Sequence, residues 1–345
     1  MQQTINAREG TLTATMPIQR DLSNAGCMSK EQRVETILSI IDANRRTERC
    51  ASECWAQKEH WRHKIENLVD LGEPIELVMP AFPCKSPNRE TKVLGTLPDA
   101  GEALALQNLS SMAEAIHAVS PGGARVVLVA DGYVFGDLVR VNDATISAYL
   151  SELRALNPNP DLVKIISLQD FFPEQLGFGA QRVALEKAFG PSCDEVRYRI
   201  EHDASTNSTY RGMKCFLTED IGAAIRAESE GISKNGVNRI CGETAAKMIL
   251  RNEAFHAAIR QRFPNCVRCS VHPQPDDSKE KIGVALINRG DGWGTPWHGV
   301  LVATDIDRSV RPRIMKRIDA ERSGHALVFN RDSRRPWAFA EKEPN

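Results

Sequence analysis

The hydrophobic positions of this chain fall into short apolar runs separated by longer stretches with helical spacing. Ile75-Glu76-Leu77-Val78-Met79, Arg125-Val126-Val127-Leu128-Val129-Ala130 and Leu162-Val163-Lys164-Ile165-Ile166-Ser167-Leu168 each read as a buried strand. Between the first two, Asp99 stands three residues before Glu102, the spacing of a capping box with Asp as the cap. Ala105, Leu109, Met112, Ile116 and Val119 then share one helical face, and Pro121-Gly122-Gly123 ends the helix. A second helix is predicted from Asp143 to Leu156, stopped by Asn157-Pro158-Asn159-Pro160. Residues 31–68 read as helical, with Trp55 and Trp61 covering the edge of the main domain. Residues 173–263 read as mostly helical and include a helix near Arg239–Gln261. Strand signals return at Val267–His272, Ile282–Ile287, Val300–Val302 and Ala326–Phe329, with a Gly-, Trp- and Pro-rich loop over 292–299.

This alternation of strands and helices predicts an α/β fold, a mostly parallel sheet flanked by helices and joined by right-handed crossovers. The expected organisation is a flexible tail over 1–30, a helical segment over 31–70 and the catalytic α/β domain over 71–345, ending in a mixed-strand extension. Parallel sheets hold ligands outside the carboxyl ends of their strands. Three features converge on that end. One is the run Phe82-Pro83-Cys84-Lys85-Ser86-Pro87-Asn88-Arg89, followed by Lys92; the others are Asp131 and Asp170. Two prolines stiffen the run, and its cations and hydroxyl suit a phosphate or carboxylate. The alternative is a stiff, solvated connection that happens to be basic.

Composition removes several function classes. With 345 residues, 41% apolar, 26% charged and a net charge of −1, the chain lacks the basic block of a general nucleic-acid binder. No apolar run reaches the roughly 18 residues of a membrane span. The first 30 residues hold no apolar signal core, so a cytoplasmic protein is expected. Nine cysteines cannot all pair within one chain. Cys50, Cys54, His60 and His63 diverge on a helix, and Cys266, Cys269 and His272 diverge on a strand. Reduced thiols are expected and no metal site. The dinucleotide glycine motif, the phosphate-binding Gly-Lys loop and the Gly-x-Ser-x-Gly elbow are all missing, so no nucleotide cofactor is expected.

Other residues carry two readings. Arg268, Ser270 and His272 alternate with Val267, Cys269 and Val271. They form either a polar crevice wall or an exposed sheet face. His298, between Trp297 and Gly299, is either a reachable acid–base group or a structural turn histidine. Asp131 and Asp170 are either proton-transfer groups or caps of the next helix. Arg211 either clamps a phosphate or pairs with Glu219 or Asp220, and Lys247 is either a pocket lysine or a solvated one.

Taken together these segments resemble the pyoverdine/dityrosine biosynthesis family, the isonitrile synthases. The matching stretches are Phe82 to Asn88, Lys92-Val93-Leu94-Gly95-Thr96-Leu97-Pro98-Asp99, Asp131-Gly132-Tyr133-Val134-Phe135-Gly136-Asp137, Asp170-Phe171-Phe172, Tyr210-Arg211-Gly212-Met213 and Thr295-Pro296-Trp297-His298-Gly299. They run in order across residues 75 to 303. The resemblance implies a Rossmann-like fold used without a cofactor. It also implies condensation of an L-amino acid, tryptophan or tyrosine, with ribulose 5-phosphate to give an isonitrile, with an iron/2-oxoglutarate oxygenase as the next enzyme. On that reading Lys85, Ser86, Asn88, Arg89 and Arg211 hold the phosphate, and Lys247 or Arg268 the carboxylate. Asp131, Asp170, His272 and His298 are the proton-transfer candidates. A phosphosugar-binding protein without turnover and an S-adenosylmethionine-dependent transferase are the competing classes.

Overall fold

Two amphipathic helices come first, α1 (Lys30–Ala43) and α2 (Lys58–Leu71). The computed structural model describes residues 28–46, 55–173, 175–275, 277–287, 294–303 and 312–341; most of the expected tail and the Cys50–Cys54 pair lie outside these. The predicted single helical stretch over 31–68 is two helices. Ser29 and Gln32 form a reciprocal capping box at the start of α1, and Asn44 ends it. Gly72, at φ 63°, closes α2 in the left-handed conformation. Val34, Ile37, Trp61 and Ile65 are buried in the core they share with the sheet.

The sheet follows the expected alternation. β1 (Ile75–Pro80) leads to α3 (Ala100–His117), β2 (Ala124–Ala130), α4 (Gly132–Phe135), α5 (Asp143–Ala155) and β3 (Val163–Ser167). Four helices come next: α6 (Phe178–Phe189), α7 (Cys193–His202), α8 (Ala204–Glu228) and α9 (Lys234–Arg262). They return the chain to β4 (Val267–Ser270) and β5 (Ile282–Gly283). The strand order is β3-β2-β1-β4-β5, with every pairing parallel. The chain moves outward from β1 to β3 and then jumps back to β4 on the other side of β1. Right-handed crossovers therefore put α3 on one face and α6–α9 on the other, and the reversal between β1 and β4 opens a crevice at the strands' carboxyl ends.

The mixed extension is present. β6 (Val300–Ala303), β7 (Arg313–Met315), α10 (Arg317–Arg322), β8 (Ala326–Phe329) and β9 (Pro336–Ala340) build a sheet of order β7-β6-β9-β8. Only β6 and β9 run parallel in it. Leu301 and Ala338 bury against Ala100 and Leu104, which anchors the extension on the first turns of α3. Among the described residues no helix is long and apolar enough to cross a membrane.

Candidate active site at the strand-order reversal

Asp131 follows the last residue of β2 and starts α4 without making a side-chain cap. Its Oδ1 is buried and has no hydrogen-bond partner. Burial pushes its pKa up to about 7, only partly offset by its own backbone hydrogen bond. Such a carboxyl exchanges its proton near neutrality. The next residue must be glycine, because a Cβ on Gly132 would stand 1.9 Å from the Pro83 carbonyl oxygen. This close approach presses the loop after β1 against the Asp131 turn. Phe82, buried and at φ 57°, makes the sharp turn that starts that loop.

The loop's cations are committed inside the protein. Lys85 lies 2.7 Å from Asp99 and 2.8 Å from Glu102, and it donates to the Pro296 carbonyl at 2.9 Å. Burial alone would lower its pKa, but the fields of the two carboxylates reverse this and raise it. Asp99 and Glu102 do form the predicted capping box at α3, and the same carboxylates also hold Lys85. Tyr149 donates to Glu102 at 3.2 Å. Burial, opposed by Lys85, moves the Asp99 pKa up to about 7. Ser86 donates its hydroxyl to Asp220 at 2.8 Å and its backbone N–H to the Trp297 carbonyl. Lys92 pairs with Asp220 and Glu219 and lies over the Phe216 ring. Asn88 donates to the Glu219 carbonyl at 3.0 Å, and Arg89 is exposed. The segment expected as a phosphate cradle thus joins α3, α8 and the Thr295–His298 turn. The charges of Lys85 and Lys92 are already paired.

That turn carries His298. Its Nδ1 meets the Thr295 hydroxyl at 3.1 Å, and its ring meets Phe216 edge-on at a centroid distance of 5.0 Å. Solvent reaches part of the ring, yet the surrounding protein, aided by the fields of Lys92, His272 and Lys85, lowers its pKa to about 3. His272, just past β4, combines accessibility with a pKa lowered to about 4, first by burial and then by Arg46 and Lys281. Both histidines are neutral at pH 7. Cys84 stands in the same neighbourhood, but burial and the Asp131 and Asp220 charges push its thiol up to about 12, so no thiolate forms there.

The alternation on β4 is as expected: Val267 and Cys269 are buried, while Arg268 and Ser270 are partly accessible. Arg268 meets His256 of α9. Other candidates are placed elsewhere. Asp170 accepts from the Ser167 backbone N–H at 2.8 Å in a local cap and is exposed. Arg211 is exposed and lines an open groove of about 580 Å³ with Glu201, His202 and Asp203. Lys247 pairs with Glu186, which also receives Arg251. Sequence reading gave no site role to Asp220, His256 or Lys281. Asp220 stood out only as a possible partner of Arg211, and nothing local marks the other two. Among the described residues no three His, Cys, Asp or Glu side chains converge on a metal position.

The model of the family described as pyoverdine/dityrosine biosynthesis protein matches residues 65–328. An L-tryptophan isonitrile synthase of Fischerella ambigua is 33% identical over 81% of this chain and 82% of its own length. An L-tyrosine isonitrile synthase of Pseudomonas aeruginosa is 36% identical over 77% of this chain and 79% of its own. The crystal structure of the PvcA protein from Pseudomonas aeruginosa superposes with a TM-score of 0.79 at 32% identity, covering 90% of this chain and all of that one. With more than half its length matched by the family model, and relatives 33% and 36% identical over more than three quarters of it, this chain belongs to the pyoverdine/dityrosine biosynthesis family.

Proposed function

We propose that the chain is an isonitrile synthase, converting the amino group of L-tryptophan or L-tyrosine into an isonitrile with ribulose 5-phosphate as the carbon source. The observation that carries this reading is Asp131, a buried carboxyl with an unpartnered oxygen and a pKa near neutrality. Relatives named as tryptophan and tyrosine isonitrile synthases support the amino-acid class.

Condensation begins with an amine that must shed a proton to attack a ketone. Asp131, its pKa raised to about 7 and so partly ionised near neutral pH, takes it. Expulsion of the carbinolamine hydroxyl as water needs that proton back, and the same carboxyl returns it. The imine forms at the pentulose C2; the C1 hydroxyl then loses its proton and C1 leaves as formaldehyde with the C1–C2 pair staying on C2, while the C2–C3 pair departs with the three-carbon remainder and the nitrogen lone pair closes the third bond to C2. His298 and His272, held neutral, serve as hydrogen-bonding partners that add no positive charge beside the substrate ammonium. The product would pass to an oxidising enzyme such as an iron/2-oxoglutarate oxygenase.

The test is incubation of purified protein with ribulose 5-phosphate and each aromatic amino acid. The expected product retains the amino-acid skeleton, depends on the pentulose and shows the isonitrile stretch in the infrared. If no amino acid is consumed in the presence of ribulose 5-phosphate, the reading fails.

A further inference from the structure

Three nitrogen-bearing side chains meet on the α9 face of the sheet without a carboxylate among them. The β4–β5 register pairs Cys269 with Ile282, so Arg268 stands beside Lys281 and both side chains leave the same face. From α9, His256 comes down between them. Arg268 Nη2 lies 3.0 Å from His256 Nδ1, and Lys281 Nζ lies 3.5 Å from Nε2. A guanidinium only donates, so Nδ1 must be the acceptor and Nε2 carries the ring proton. The Nε2–H and the Lys281 ammonium are then two donors facing one another.

The electrostatics lead to the same conclusion. Burial and the fields of Lys281, Arg268 and Arg260 hold His256 neutral, with a pKa lowered to about 3. Burial and the field of Arg260 lower Arg268, and burial with the fields of Arg268 and Arg260 lowers Lys281. Glu280 exerts an opposing field, but none of Arg260, Arg268 or Lys281 forms an ion pair among the described residues. Crowding cations in a half-buried space is costly unless an anion completes it. Arg268, His256 and Lys281 all stay partly accessible, so such an anion can enter.

We infer that Arg268, Lys281 and the Nε2–H of His256 form a clasp for a phosphate group. A phosphate monoester carries close to two negative charges at neutral pH and offers three acceptor oxygens, enough for the fork of Arg268, the ammonium and the imidazole N–H. Arg260, Arg268 and Lys281 against Glu280 leave a matching excess of two positive charges. Resting on the function proposed above, the occupant is the phosphate of the pentulose. Lys281 and Arg46 act electrostatically on His272, and His272 on His298.

The test is titration of wild-type protein and the variants Arg268→Gln and Lys281→Gln, first with inorganic phosphate and then with ribulose 5-phosphate, read by calorimetry. NMR of the His256 ring nitrogens provides a second readout. Both probes are expected to bind wild type and to move the Nε2 signal. Each variant should weaken both probes at least about tenfold, the scale of one lost charge-assisted hydrogen bond. Lys281 precedes the edge strand β5, so Lys281→Gln keeps the test valid if Arg268→Gln does not fold. Wild type that ignores both probes at millimolar concentration, or folded variants that bind as tightly as wild type, overturns the clasp. Variants that lose phosphate while wild type makes no isonitrile uphold the clasp and remove the proposed reaction.

Discussion

Lys85 stands at the decisive junction of the molecule, and Lys85→Met isolates its role. The substitution keeps most of the side-chain volume and removes the charge. It leaves Asp99 and Glu102, both essentially without solvent access, facing each other with no cation between them. It also leaves the Pro296 carbonyl without its 2.9 Å donor. Breaking a buried ion pair by deleting one partner costs about 3–5 kcal/mol. A buried carbonyl left unsatisfied adds about 1–3 kcal/mol. Together these approach the whole stability of an ordinary domain. The pH dependence carries the signature. The two orphaned carboxylates would have folded-state pKa values above their unfolded ones. The fold is then least penalised below about pH 4 and loses stability as pH rises through the raised values. Urea unfolding of wild type and variant across pH 5 to 8, followed by fluorescence of the core tryptophans, measures this. The deficit should be several kcal/mol at pH 8 and shrink toward pH 5. A deficit under about 1 kcal/mol that does not change with pH, together with a raised KM for the pentulose, would refute the structural role and return Lys85 to phosphate binding.

Three other perturbations test separate parts of the site. Asp131→Asn should preserve the fold and reduce kcat by at least about a hundredfold; in wild type the rate should rise with pH through about 7 as Asp131 ionises, and a flat profile counts against it. Gly132→Ala should cost several kcal/mol in denaturant titration, because its methyl group falls 1.9 Å from a backbone oxygen that the loop cannot easily move. His256, His272 and His298 all have folded pKa values of about 3 or 4 against 6.5 for the free side chain, so they stabilise the fold above pH 6.5 and this is lost as pH falls toward 3. Asp99 and Asp131, raised to about 7, act in the opposite direction, and the three His→Gln substitutions should flatten the acid limb of a stability-against-pH curve.

The sheet could be read because each buried strand is a single apolar run and each crossover helix announces its ends. Asp99 with Glu102 started α3, and Asn157-Pro158 followed α5, close to where the pattern placed them. β7 and β9 were missed because Arg313-Ile314-Met315 is only three residues long and Pro336-Trp337-Ala338-Phe339-Ala340 opens on a proline and lacks a regular apolar–polar alternation. The expected Ile282–Ile287 strand shrank to two residues, since the chain leaves β4 after Gly283 and bridges Arg45 through Val284. In the site, strand-end placement brought forward Asp131 and Asp170 alike and could not tell Asp170, which accepts from Ser167 as a cap, from a group facing the crevice. The sequence offers Lys85 to a phosphate because its actual partners are only partly local. Asp99 is 14 residues away, but Pro296 is 211 away. The contact of His256 with Arg268 spans 12 residues across a helix–strand turn, and no sequence period encodes it.

The destination of the loop's cations also explains the state of Asp131. Its shift is set by burial, opposed by its own backbone hydrogen bond, and not by a lysine or arginine paired with it. Had Lys85 or Lys92 turned toward it, the carboxyl would be held ionised and would have no proton to return at neutral pH. Lys92 instead spends its charge on Asp220 and Glu219, and Asp220 also receives the Ser86 hydroxyl. Asp220→Asn tests this arrangement. It removes one negative charge and leaves Lys92 to Glu219 alone, so the site becomes more positive and ionised Asp131 is favoured. The lower limb of the pH–rate profile should move toward acid by less than about one unit, with the fold retained because asparagine can still accept from Ser86. A limb that stays in place would show that Lys92 is electrically remote from Asp131. A limb that moves toward alkali would mean that the balance of charge around the site runs opposite to the one its ion pairs describe.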